Sequence, residues 1–123
     1  MKENLKDTWE KYYSDNQDTV IKDKSFFRLE VNAIKKEVEK MANIKNKLSI
    51  LELGCGTGFL TRELINNILK NVKYTYTGID FSKKAIEKAK KRELPKTFFI
   101  DTGFFDFFNK SEKKFDLIIA NRQ

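Results

Sequence analysis

Apolar residues recur along this chain with two periods, and the switches between them mark its elements. From Ser25 to Asn43, Phe27, Val31, Ile34, Val38 and Met41 return at spacings of three and four, which predicts an amphipathic helix with one buried stripe. After the polar link Asn43 to Lys47 comes an apolar run, Leu48, Ile50, Leu51 and Leu53, that predicts a strand. Glycines at every second position, Gly54, Gly56 and Gly58, break the run, and the helical spacing resumes with Leu60, Leu64, Ile65 and Ile68. The next stretch, KYTYTGID, alternates Tyr74, Tyr76 and Ile79 with threonines and predicts a second strand ending at Asp80. A helix over Ser82 to Arg92 follows, with Ala85, Ile86 and Ala89 on one side, then a short third strand, KTFFID, ending at Asp101. The stretch GFFDFF places Phe104, Phe105, Phe107 and Phe108 in five positions and predicts a buried crossover segment over the opposite sheet face. A fourth strand, Phe115 to Ala120, is apolar enough to be buried on both faces.

The repeated order of strand and helix predicts an α/β fold with a parallel sheet. Within it the stretch LSILELGCGTGFLT, Leu48 to Thr61, carries the chemistry. Glycine in a tight turn between strand and helix can take positive φ and lets a ligand approach the backbone, while the first N–H groups of the helix remain available to donate. Glu52, an acid inside the apolar run, places a negative group where a pyrophosphate site would want none, so a cationic ligand group suits it better. A dinucleotide fingerprint, G-x-G-x-x-G, would require glycine at position 59, where the chain has Phe59. A plain tight turn without a ligand is the other reading of the glycines.

LELGCGTG, with its E-x-G-x-G-x-G spacing, resembles motif I of the class I, Rossmann-like, S-adenosylmethionine-dependent methyltransferases, and KFDLIIANRQ resembles motif IV of that family. The resemblance implies a Rossmann-like three-layer sandwich with parallel strands in the order 3-2-1-4, and S-adenosyl-L-methionine as cofactor. It covers only the front half of the family's fold, so the expected domain, residues 25–123, is incomplete, truncated after the fourth strand. Residues 1–24 are then an N-terminal lid or anchoring segment, with Trp9, Tyr12 and Tyr13 as its contacts. An exposed fourth strand without its neighbour predicts pairing with another chain, possible as an oligomer, or a fragment of a longer protein.

Several residues fall at the carboxyl ends of predicted strands, where an open parallel sheet forms one crevice. Gly54, Cys55, Gly56 and Gly58 make the loop. Asp80 can accept from both ribose hydroxyls, or instead cap the helix near Ser82. The resemblance lays Phe81 against the adenine ring and implies that Asp101 accepts from the adenine amino group, with the N–H of Thr102 or Gly103 donating to a ring nitrogen; an ordinary turn at Asp101 is the alternative. Glu52 would engage the methionine amino group directly or through water. Asn121, past the fourth strand, would lie near the transferred methyl, and Asp116, at the strand's other end, has a structural role. No catalytic base is nominated.

Composition narrows the classes. The chain has 123 residues, 40% apolar and 35% charged, which suits one soluble domain. No run of 18 apolar residues occurs and no signal-peptide pattern opens the chain, so a cytoplasmic location is the default expectation. A single cysteine, Cys55, and no histidine leave no zinc cluster, so no metal site is expected. The net charge of +7 is spread over helix faces, which makes a nucleic-acid partner possible but less favoured than a small-molecule substrate. The reading is methyl transfer to a small-molecule acceptor, with a non-catalytic S-adenosylmethionine-binding module and a nucleic-acid methyltransferase fragment as alternatives.

Overall fold

The computed structural model describes residues 24–120; Trp9, Tyr12, Tyr13 and Asn121 lie outside the described residues. The elements are α1 (Lys24–Ala42), β1 (Lys47–Leu53), α2 (Phe59–Asn67), β2 (Lys73–Asp80), α3 (Lys83–Lys90), β3 (Thr97–Asp101), α4 (Phe104–Lys110) and β4 (Leu117–Ala120). Four parallel strands pair in the order β3-β2-β1-β4, so the chain adds strands on one side of β1 and then crosses to the other. This is the α/β Rossmann-like arrangement expected from the pattern of strands and helices.

The pairing register decides which side chains share a face. Leu48 lies opposite Tyr74, Ile50 opposite Tyr76 and Leu117, and Glu52 opposite Gly78 and Ile119. Partners in a ladder point the same way, so these residues build one face. On it Leu48, Ile50, Tyr74, Tyr76 and Ile119 join Val38 of α1 and Leu60, Leu64 and Ile65 of α2 in the main core, with Val31, Ile34 and Met41 packed at its margin. The apolar stripe of α1 therefore lies on the sheet as its spacing predicts. A smaller core joins Cys55 and Phe99 to Ile86 and Ala89 of α3.

The second face is covered only at its centre. Leu51, Thr77 and Ile79 are buried, whereas Phe98, Ile100 and Ile118, on the outer strands, are exposed. The phenylalanines of α4 do not bury there as expected: Phe104 and Phe105 are 46% and 58% exposed, Phe108 is exposed, and Phe107 alone is half-buried. The reason is helical geometry. At about 100° per residue, rings at positions 104, 105, 107 and 108 spread over roughly 160° of the helix, too wide an arc to face the sheet together. Phe107 turns toward Phe115, with centroids 6.0 Å apart, while Phe104 stacks on Phe105 at 4.3 Å and meets Phe108 edge-on at 6.0 Å. Burial of β4 on both faces is also corrected: Ile119 is buried but Ile118 is 50% exposed, because β4 is an edge of the described sheet.

Asp116 fastens the start of β4. Its Oδ2 accepts from the Ser49 N–H at 2.8 Å, its own N–H donates to the Ser49 carbonyl at 2.8 Å, and its Oδ1 pairs with Lys45. Those bonds, the lysine's first, hold the Asp116 carboxyl below its ordinary value.

Candidate functional site

The loop between β1 and α2 has the backbone that its glycines allow. Gly54, Gly56 and Gly58 have φ of 69°, 57° and 82°, all in the left-handed region where a Cβ is strained. Gly58 is also the N-cap of α2 and offers no side-chain oxygen to the first turn, so the helix begins without a side-chain cap. The N–H groups of Gly54 and Cys55 both donate to the Ile79 carbonyl, at 2.9 and 3.0 Å, which lays the start of the loop over the end of β2.

Asp80 holds the loop from that strand. Its carboxylate is only 4% exposed; Oδ2 accepts from the Gly56 N–H at 3.0 Å and Oδ1 from the Ser82 N–H at 2.8 Å. Ser82 in turn caps α3, its Oγ accepting from the Ala85 N–H at 3.2 Å. One acid thus ties the glycine loop to the N-terminus of α3. Asp101 is the register partner of Asp80 on β3 and is exposed; the next N–H, of Thr102, donates to the Asp80 carbonyl at 3.0 Å. The loop, Asp80, the half-buried Phe81, Asp101 and Thr102 therefore gather at the carboxyl ends of β1, β2 and β3.

Glu52 lies beneath this surface. It is 0% exposed, and its Oε1 accepts from the Thr61 hydroxyl at 2.7 Å and the Tyr76 hydroxyl at 2.6 Å. A buried carboxylate needs such donors, since an unpaired charge in the core costs several kcal/mol. Burial, and then the Glu52 charge, push the Tyr76 phenol well above its ordinary value, so it stays a donor. Burial, with Glu52 and Asp80 adding to it, raises the Cys55 thiol in the same way, so Cys55 remains an uncharged packing residue.

Sequence reasoning missed Thr61, Tyr76, Gly78 and Arg92. Tyr76 reads as one apolar step of an alternating strand, and only its register beside Glu52's strand exposes its partner. Gly78 has no room for a side chain: a Cβ there would stand 2.9 Å from the Phe99 ring and 3.0 Å from the Cys55 Cβ. Arg92, two residues past α3, donates from Nε to the Thr57 carbonyl at 2.7 Å, a link to the glycine loop across 35 positions of sequence. Burial and the nearby Arg62 guanidinium lower the Arg92 pKa from its ordinary value. Among the described residues no cluster of histidine, cysteine or acidic side chains could hold a metal ion.

A family profile described as a methyltransferase domain matches residues 44–123, which takes in the sheet, the glycine loop and Glu52, Asp80 and Asp101. The chain belongs to the methyltransferase domain family. Two curated members that this methyltransferase-family chain resembles are malonyl-[acyl-carrier protein] O-methyltransferases: one from Priestia megaterium, 37% identical over 61% of this chain and 26% of the relative, and one from Bacillus anthracis, 32% identical over 68% and 30%. Among solved structures, the plantazolicin methyltransferase BpumL, in complex with a triazolic desmethylPZN analog and SAH, aligns with a TM-score of 0.62 at 27% identity, covering 93% of this chain and 45% of that one. The DhpI-SAM-HEP complex aligns with a TM-score of 0.65 over 96% of this chain and 49% of its own; at 19% identity it supports the fold alone. The chain spans about a third or less of the length of these curated relatives and under half of these structures.

Proposed function

We propose that residues 25–123 form the S-adenosylmethionine-binding part of a methyltransferase acting on a small-molecule acceptor. The observation that carries this reading is Asp80, buried at the end of β2, gripping the Gly56 N–H while standing in register with Asp101. Three left-handed glycines bring backbone rather than side chains to the crevice, which fits a ligand lying close against the loop. The names of the related proteins, methyltransferases of a carrier-bound acid and of plantazolicin, support the reaction class.

In this reading Asp80 accepts from the ribose hydroxyls, Phe81 lies against the adenine, and Asp101 meets the adenine edge with the Gly103 N–H, since the Thr102 N–H is taken by the Asp80 carbonyl. Gly54, Cys55, Gly56 and Gly58 present the loop backbone to the amino-acid end. Glu52 acts from below: its buried charge, held by Thr61 and Tyr76, makes the loop favourable for the cationic end of the ligand. Asn121 is proposed near the methyl group. S-adenosylmethionine supplies an electrophilic methyl on a sulfonium, so the chain's own task is to hold and orient the ligand and to exclude water.

Calorimetric titration with S-adenosylmethionine, S-adenosylhomocysteine and NAD tests the cofactor. Binding of the first two and not of NAD is expected, and binding of NAD alone sinks the proposal. The 2′-deoxy analogue of S-adenosylhomocysteine separates the ligand role of Asp80 from its structural one, because the protein stays unaltered. Loss of one charged hydrogen bond should weaken binding about tenfold or more, and equal affinity would leave Asp80 only its loop and Ser82 contacts.

A further inference from the structure

The glycine loop is braced from a direction that no motif in the sequence announces. Arg92, just beyond α3, bonds to Thr57 and lies near the two residues that follow it. Its Nε donates to the Thr57 carbonyl at 2.7 Å, and its Cδ would lie 3.4 Å from a Cβ on Gly58. Its guanidinium lies 6.0 Å from the Phe59 ring centroid, over which Arg62 sits at 4.9 Å. A peptide unit is planar, so fixing the Thr57 carbonyl also aims the Gly58 N–H, which donates to the Cys55 carbonyl at 3.1 Å. The Thr57–Gly58 peptide is thus gripped at both ends, just as Asp80 grips the preceding part of the loop through the Gly56 N–H.

We propose that Arg92 is a positioning residue for ligand binding: it holds the Thr57–Gly58 peptide in the orientation in which the loop receives its ligand. The proposal rests on the S-adenosylmethionine reading above. A loop of left-handed glycines has many alternative conformations, and ordering it on binding would cost affinity. Arg92 removes that cost before the ligand arrives. Arginine suits the task because its fork donates to a carbonyl with a fixed, planar geometry.

The test titrates S-adenosylhomocysteine into the full chain and its Arg92→Met and Arg92→Lys variants, and follows amide hydrogen exchange in each. Methionine keeps an apolar stem beside Gly58 and Phe59 but cannot donate. Arg92→Met should bind about tenfold more weakly and exchange the Gly58 amide faster, with the amides of β1 and β2 unchanged. Arg92→Lys should recover part of the loss, since its ammonium can donate to the same carbonyl. Equal affinity in Arg92→Met overturns the proposal, and so does faster exchange throughout β1 and β2, which would make Arg92 a general stability residue. A wild-type chain that binds no S-adenosylhomocysteine overturns the cofactor reading and this proposal together, whereas wild-type binding matched by equal affinity in Arg92→Met overturns Arg92 alone.

Discussion

A carboxylate at the end of an apolar strand can serve two masters, and Glu52 and Asp80, both buried, divide the work by their partners. Asp80 stands at the crevice and uses its oxygens to shape the loop; Glu52 is sealed in the core and is satisfied by Thr61 and Tyr76. The difference is one of register, since Glu52 pairs with Gly78, two residues short of Asp80 on the next strand. Tyr76→Phe removes one donor from the buried acid with almost no change of shape. It should lower unfolding free energy by about 1.5–3 kcal/mol, the usual range for a hydrogen bond to a charged group, measured by urea denaturation. An unchanged midpoint would mean that Glu52 does not depend on the tyrosine.

Between elements, the tightest fit lies where β2, β3 and the glycine loop converge. Gly78 faces Phe99 across the strand pair and Cys55 above it, with no space for a methyl group. Gly78→Ala should therefore push the Phe99 ring out of the smaller core and cost about 1–3 kcal/mol. Phe99→Ala removes the colliding ring atoms, so the double variant should lose less stability than the sum of the two single ones, a coupling that denaturation of all three would reveal. Strict additivity would show that the methyl group is accommodated elsewhere. The same packing explains α4, whose rings, spread too widely to enter the sheet face together, settle on one another.

Across the whole molecule, the first and fourth strands pair along a parallel ladder, and Asp116 adds a side-chain bond at its start to Ser49, 67 positions away. Its folded pKa is depressed, by the Lys45 bond first and the Ser49 N–H next. A depressed carboxyl contributes stability that is present above its unfolded pKa and is lost as pH falls through its folded one. Asp116→Asn should accordingly be less stable than wild type at neutral pH, with the gap between their urea midpoints closing as the pH drops through the carboxylate range, below about pH 4. A gap independent of pH would assign the effect to shape rather than to charge.

How much of this was legible in the chain differs by the range of the interaction. The two periods of apolar residues and the glycine spacing are local, and they marked the strands, most helices and the loop, including the left-handed glycines. Asp80 and Asp101 were legible because each ends a strand, and parallel strands in one sheet bring such ends together. The partners of those residues were not legible. Tyr76 beneath Glu52, Phe99 against Gly78 and Arg92 on Thr57 are each decided by strand register or by how a helix end returns to the loop. Local pattern in the chain was enough to fix where it turns, which faces are apolar and where the left-handed glycine loop stands. Tertiary structure alone decided which donors each buried acid meets, and which phenylalanines are covered, because burial and partners depend on what packs above a residue and not on its neighbours in the chain.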